Sequence, residues 1–102
     1  MGMTTDRQFR EIISRCVSTM VFYHDSVRSC EVVRWVLQEI REIAREVSDR
    51  GLDGDEAYRC ILRPVEDDLI RRYGYEVGPR ISGRFIDEFE GEFASRESAV
   101  GV

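Results

Sequence analysis

Residues 29–50 read SCEVVRWVLQEIREIAREVSDR and carry the clearest periodic pattern in the chain. Apolar side chains recur at intervals of three and four residues, which aligns them in one broad stripe along an α-helix. The stripe consists of Val32, Val33, Val36, Leu37, Ile40, Ile43, Ala44 and Val47. Gly51 follows directly and is a typical stop signal for a helix. We therefore predict a helix from about Ser29 to Arg50.

Two further stretches have the same period. The first runs from about Thr5 to Tyr23, with apolar positions at Phe9, Ile12, Ile13, Cys16, Val17, Met20 and Val21. The other opens at Asp53, which stands three residues before Glu56 as an N-cap would. Its apolar positions are Ala57, Tyr58, Ile61, Leu62, Val65, Leu69 and Tyr73, and Gly74 ends it. Pro64 cannot donate a backbone hydrogen bond, so it predicts either a kink in this helix or the start of a new one.

The apolar pattern of the C-terminal stretch does not distinguish a helix from a strand. After Pro79, apolar residues recur every four positions at Ile81, Phe85, Phe89 and Phe93. This spacing suits one face of a helix and also one face of a strand, while Gly83 and Gly91 weaken a helix. We predict a helix because Ile86 joins the same face, and a strand over residues 79–95 is the alternative. Residues 96–102 are expected to form a flexible tail.

These elements predict an all-α fold, a small antiparallel bundle of three to four helices, in one domain over residues 1–95. A chain of 102 residues is too short for two domains. Its formal net charge of −5 argues against general nucleic-acid binding, although a helical DNA-binding regulator is kept as an alternative.

The same composition bears on where the protein works. No secretory pattern is evident in the first twenty residues, and no apolar run approaches the roughly 20 residues that span a bilayer. The 3 cysteines, an odd number, suit a reducing compartment. We therefore expect a cytoplasmic protein that does not act at a membrane.

Three large apolar residues lie outside the predicted stripes, and they suggest an interface. Trp35 projects from the second helix away from its stripe, Phe22 points nearly opposite Phe9 on the first helix, and Ile70 is displaced on the third. Exposed aromatic residues in a small chain are typical of a second contact surface. We therefore expect a self-associating protein–protein interaction or regulatory module, with a symmetric homodimer as the usual form and no cofactor.

A zinc site is a weaker hypothesis. His24 is the one histidine in the sequence, and with Cys16, Cys30 and Cys60 it supplies residue types that bind zinc. However, no Cys-x-x-Cys pair occurs, and Cys16 and Cys30 lie at core positions of their helices. We expect the cysteines to be ordinary core residues and His24 to be structural.

A magnesium enzyme is the main alternative function. Glu39 and Glu42 form a Glu-x-x-Glu pair, and Glu66 and Asp68 supply carboxylates on the next helix. This plan partly resembles the all-α nucleotide pyrophosphohydrolases, whose carboxylates hold Mg²⁺ for phosphate chemistry. The resemblance implies a metal-dependent hydrolase. The second motif of that family, Glu-x-x-Asp, is missing on the following helix because Leu69 lies three residues after Glu66; Glu46 and Asp49 have that spacing but stand on the same helix as the first pair.

Overall fold

Helix α2 spans Cys30–Asp49 and matches the prediction from its apolar stripe. The Ser29 hydroxyl caps it by accepting a hydrogen bond from the Val32 amide at 3.2 Å. The stripe faces the core, where its fully buried members are Val36, Ile40, Ile43, Ala44 and Val47. The computed structural model describes the backbone of residues 2–26 and 29–100, and the side chains of residues 9–26 and 29–95.

Helix α1 spans Gly2–Asp25 and begins three residues earlier than the pattern predicts. It runs antiparallel to α2, because Phe22 near its end contacts Trp35, while Arg15 further back contacts Glu42 and Glu46. This hairpin presents Cys16, Val17 and Met20 to the core. These contacts therefore define both the relative direction of the two helices and the faces that meet.

The third predicted helix begins at the expected N-cap, and its backbone then changes from α-helical to π-helical geometry. Asp53 caps α3 (Gly54–Ala57) by accepting a hydrogen bond from the Glu56 amide at 2.9 Å. A π-helical turn follows at Tyr58–Leu62, and the Arg63 amide donates to the Tyr58 carbonyl. This widened turn lies directly before Pro64, which has no amide hydrogen to continue the α-helical pattern.

Helix α4 spans Arg63–Val100 and leaves helical geometry at Gly74, where φ is 87° and ψ is 175°. A positive φ of this size is easily adopted by glycine and strained for residues with a β-carbon. We call residues 63–73 the proximal segment and residues 75–100 the distal segment. The predicted stop at Gly74 is thus seen in the backbone, but the helix resumes at once, four residues before Pro79. Residues 79–95 are helical, and no strand occurs within residues 2–26 and 29–100.

The core lies where α1, α2 and both segments of α4 meet. Its largest fully buried side chains include Phe85 and Phe89 of the distal segment, with Met20 of α1 and Ile40 of α2. The buried hydroxyl of Thr19 donates to the Arg15 carbonyl at 2.8 Å, and that of Ser82 donates to the Pro79 carbonyl at 3.3 Å. Both buried polar groups are therefore satisfied.

The radius of gyration confirms that the all-α fold is compact. The radius of gyration is 13.6 Å, close to the roughly 13 Å expected for a compact domain of this length. The flexible tail expected over residues 96–102 stays a prediction: the backbone is helical through Val100, and residues 101 and 102 lie outside the described residues. Within the described part of the chain, the search for a helix of membrane-spanning length and apolarity finds none.

Candidate interaction surface

Phe22 and Trp35 form an exposed aromatic pair across the α1–α2 hairpin. Their ring centroids are 5.2 Å apart and their planes meet at 70°, an edge-to-face arrangement. Phe22 is 44% exposed and Trp35 is 48% exposed. Such a contact contributes about 0.5–1.5 kcal/mol beyond area burial. It leaves nearly half of each ring in water, so a large apolar area is available to a partner.

Trp35 belongs to the face of α2 that points away from the core. At about 100° per residue, this outer face lies opposite Val36, Ile40 and Ile43. We define the α2 outer face by its exposed residues, which are Glu31, Arg34, Trp35, Gln38, Arg41, Glu42 and Arg45. It is a mixed surface in which one large aromatic ring is surrounded by charges of both signs.

A three-carboxylate clasp on Arg15 borders this surface on the α1 side. Arg15 Nη1 lies 2.7 Å from Glu46 Oε2, Arg15 Nε lies 3.3 Å from Glu39 Oε2, and Arg15 Nη2 lies 3.6 Å from Glu42 Oε2. Hydrogen bonding to Glu39 is the largest cause that raises the pKa of Arg15 above its usual value. The clasp ties α1 to α2 along the same seam as the aromatic pair.

On the other side, α2 is tied to the distal segment of α4. Arg45 Nε lies 3.6 Å from Glu92 Oε1. In contrast, Arg34 and Arg41 have no carboxylate within 4.0 Å among the side chains that the structure describes. The α2 outer face therefore presents two arginines that are available for pairing beside the exposed Trp35.

Three of the four carboxylates predicted for a magnesium site have arginine partners. Glu39 and Glu42 share Arg15, and Asp68 accepts from Arg72 Nε at 3.2 Å on its own helix. Glu66 is half-buried on the proximal segment. Within residues 9–26 and 29–95, no group of three or more acidic, cysteine or histidine side chains is placed to hold a metal ion. The neighbouring charges were evident from the sequence, but the choice of Arg15 as the common partner was not.

The residues of the zinc hypothesis lie in different settings. Cys16 is buried on α1, and burial raises the pKa of its thiol to about 12. Cys30 is exposed at the start of α2, so the core position predicted for it is wrong: it lies in the first turn of α2, before the buried part of the stripe. Cys60 is half-buried in the π-helical turn, and all three thiols are free. The His24 ring packs against the Tyr73 ring with centroids 4.6 Å apart.

The third predicted interface residue, Ile70, belongs to α4 and not to the α1–α2 hairpin. It is half-buried on the proximal segment, beside Gly78 of the distal segment. The apolar pattern of α2 singles out Trp35 but gives no sign of Arg34, Gln38 and Arg41. These three residues are four and three positions apart along one polar face of the helix. That spacing places them on the same face as Trp35 and is the signal by which the sequence could have identified them.

Comparison of this chain with protein-family models, with curated proteins and with solved structures finds no match.

Proposed function

We propose that this chain is a self-associating protein–protein interaction module whose α2 outer face docks on the same face of a second copy. The observation that carries the proposal is the exposed Phe22–Trp35 pair beside a helix face with unpaired arginines. Large aromatic rings and arginine are enriched in protein interfaces, where they act as anchors. A two-fold dimer is the commonest assembly and buries the same patch on both subunits.

The charges of the α2 outer face are complementary to themselves when two copies run antiparallel. With the two-fold axis at Gln38, residues equally far from Gln38 on either side face each other across the contact. Glu31 then faces Arg45 of the partner subunit, and Arg34 faces Glu42 of the partner subunit. Trp35 faces Arg41 of the partner subunit, where a guanidinium stacks on the indole in a cation–π contact.

A parallel contact between the same faces is disfavoured by the same charges. Each residue would then face its own copy, so Arg34, Arg41 and Arg45 would each meet an identical cation and Glu42 an identical anion. Like charges placed opposite each other oppose association. Helix α2 has 20 residues and is therefore about 30 Å long, enough for several opposed pairs on each side of the axis.

Charge reversal tests this register without touching the core. Arg34→Glu alone and Glu42→Arg alone each place like charges opposite one another twice in the dimer. We expect each to weaken dimerisation roughly tenfold or more, measured by sedimentation velocity or native mass spectrometry. Arg71→Glu, which changes an exposed arginine on the proximal segment of α4, is the matched control and should leave the dimer intact.

Mixing the two variants gives the decisive comparison. In a heterodimer of the Arg34→Glu chain with the Glu42→Arg chain, every opposed pair at these positions regains opposite charges. We expect the mixture to dimerise although neither variant does so alone. Failure of the mixture to recover, or a wild-type chain that stays monomeric at every concentration, contradicts the proposed register.

Trp35→Ala separates an interface role from a core role. We expect it to weaken assembly while far-ultraviolet circular dichroism shows unchanged helicity, because almost half of the ring is already exposed. A collapse of helicity would instead make Trp35 a residue of the core.

Two finer points accompany this proposal. We propose that α1, α2 and the two segments of α4 form an antiparallel bundle, with the third helix bent at Pro64. Support comes from the α1–α2 contacts and from the groove that Leu62 and Phe89 line together. The five-residue step of the hydrogen bond from Arg63 to Tyr58 supports the bend.

The three free thiols suit a reducing cytoplasm, which we propose as the site of action.

A further inference from the structure

A cationic groove lies between the end of α1 and the start of the distal segment, and no residue of the α2 outer face lines it. Its volume is about 350 Å³, and it is lined by Tyr23, His24, Val77, Arg80, Ile81 and Arg84. Tyr23 and Ile81 are buried, Val77 and His24 are half-buried, and both arginines are exposed. The groove therefore joins an apolar floor to a positively charged rim in a chain whose net charge is −5.

Neighbouring rings restrict two of the polar side chains. The Arg84 guanidinium carbon lies 5.6 Å from the centroid of the Tyr23 ring, a cation–π contact. The His24 ring is held edge-on to Tyr73 at 4.6 Å. Side chains that are already oriented lose less conformational freedom when a ligand binds.

The two arginines stand one helical turn apart on the same segment. Residues four apart on a helix have β-carbons about 5–6 Å apart, so both guanidinium groups can reach one multi-oxygen anion. Neither arginine has a carboxylate within 4.0 Å among the described side chains. Their hydrogen-bond donors are therefore available, apart from the contact of Arg84 with the face of Tyr23.

One neighbouring negative charge is already engaged. Asp25 follows His24 at the end of α1, and its carboxylate interacts with the Tyr73 phenol. Burial first, and this carboxylate second, raise the pKa of Tyr73. Glu76 is exposed four residues before Arg80, and Asp87 and Glu88 follow Arg84 by three and four residues in the same helix. In the described part of the chain, neither Arg80 nor Arg84 forms an ion pair with these acids within 4.0 Å, and His24 adds a further donor.

We infer that this groove binds a phosphate monoester that carries a small apolar group. The phosphate oxygens pair with Arg80 and Arg84, since guanidinium groups match the geometry of phosphate and form charge-assisted hydrogen bonds. The apolar group lies on Val77 and Ile81 beside the Tyr23 ring. A volume of about 350 Å³ suits a small ligand of this kind.

Phenyl phosphate is the probe that tests the inference, with binding followed by NMR titration of the ¹⁵N-labelled full chain. We expect shifts confined to residues 23–24 and 77–84, with phenol showing none and benzoate binding more weakly. Arg80→Gln should weaken phenyl phosphate binding roughly tenfold or more, because it removes a charge-assisted pair. Arg71→Gln is the matched control and should leave the affinity unchanged.

Arg84→Gln should weaken phenyl phosphate binding to a comparable degree. Because it also removes the contact of Arg84 with the Tyr23 ring, Arg80→Gln is the deciding variant if Arg84→Gln perturbs the fold. Trp35→Ala should leave the affinity unchanged, so the groove is tested independently of self-association. Shifts elsewhere on the chain, equal binding of benzoate, or an affinity insensitive to Arg80→Gln would overturn the inference.

Discussion

Gly78 lies so close to Ile70 that a β-carbon added at Gly78 would stand 2.7 Å from the Ile70 Cα and 2.9 Å from the Ile70 backbone nitrogen. This contact joins the two segments of α4 just beyond the bend at Gly74. Two helix backbones can approach this closely only where one of them lacks a side chain. The close approach therefore fixes how the distal segment leaves the bend, and with it the position of Arg80 and Arg84.

Gly78→Ala should destabilise the protein. The added methyl group meets backbone atoms that cannot rotate away, so we expect the free energy of unfolding to fall by about 1–3 kcal/mol in urea denaturation. Gly83→Ala is the matched control, because a β-carbon at Gly83 has nothing within 4 Å. In the same helical segment it should stabilise the protein by about 0.5–1 kcal/mol. Equal effects at both positions would argue against the close contact.

Trp35 fluorescence should report self-association directly, because the chain has 1 tryptophan. On dilution the emission maximum should move to longer wavelength as the ring leaves the interface and meets water. The midpoint of this change should match the dissociation constant from sedimentation. In Arg34→Glu the long-wavelength emission should persist at high concentration, and a maximum that never depends on concentration would place Trp35 outside any dimer contact.

Thiol labelling should follow burial. Iodoacetamide at about pH 8 reacts with thiolates, so exposed Cys30 should be modified first and Cys60 more slowly. Cys16 should react only on unfolding, because it is buried and its pKa is about 12. Peptide mass spectrometry measures all three rates in one experiment, with Cys30→Ser as the control for assignment. Labelling of Cys16 in the folded chain at the rate of Cys30 would contradict its placement in the core.

The same thiol predicts how stability depends on pH. Its pKa in the folded chain is raised to about 12 from an ordinary value of 9.0. The folded state therefore retains this proton where the unfolded chain releases it. The contribution to stability is complete below pH 9.0 and is lost progressively as the pH rises toward about 12. Urea denaturation across this range should show a falling free energy of unfolding.

Arg15→Gln should destabilise the α1–α2 hairpin modestly. It removes the common partner of Glu39, Glu42 and Glu46 and leaves three carboxylates close together on one helix. Because the Arg15 side chain is 38% exposed, water screens the pairs, and we expect a loss of about 0.5–1 kcal/mol. The loss should shrink at high salt. Arg63→Gln, on the exposed surface of α4, is the control, and a salt-independent loss would point to packing instead of charge.

Much of the local structure could be predicted from the sequence because local rules govern it. The stripe of α2 has one period throughout, so its length and buried face follow from residue spacing alone. Asp53 and Glu56 have the spacing of an N-cap, and the structure places that hydrogen bond as predicted. The secondary structure of residues 79–95 was harder to predict, because a four-residue spacing of apolar residues fits both a helix and a strand. In the structure this segment is helical, and its Phe85 and Phe89 side chains are buried in the core.

The candidate surfaces were only partly predictable. The off-stripe position of Trp35 is visible in the sequence, but its contact with Phe22 depends on how α1 meets α2. The π-helical turn before Pro64 also has no signature in the apolar pattern. The cationic groove combines residues from α1 and the distal segment that lie more than fifty positions apart, so no local spacing indicates it.

The sequence by itself determined that the chain is helical, where α1 and α2 begin and end to within a few residues, and most of the side chains that face the core; Cys30 and Tyr58, expected on core faces, are exposed. Those properties depend on neighbours three and four positions away, which the chain order specifies. Only the tertiary structure decided that Gly78 lies against Ile70 beyond Gly74, that Arg15 joins three glutamates, and that Arg80 and Arg84 line one groove with His24. Each of these depends on residues distant in the chain that are brought together by burial of apolar surface, a force without direction of its own.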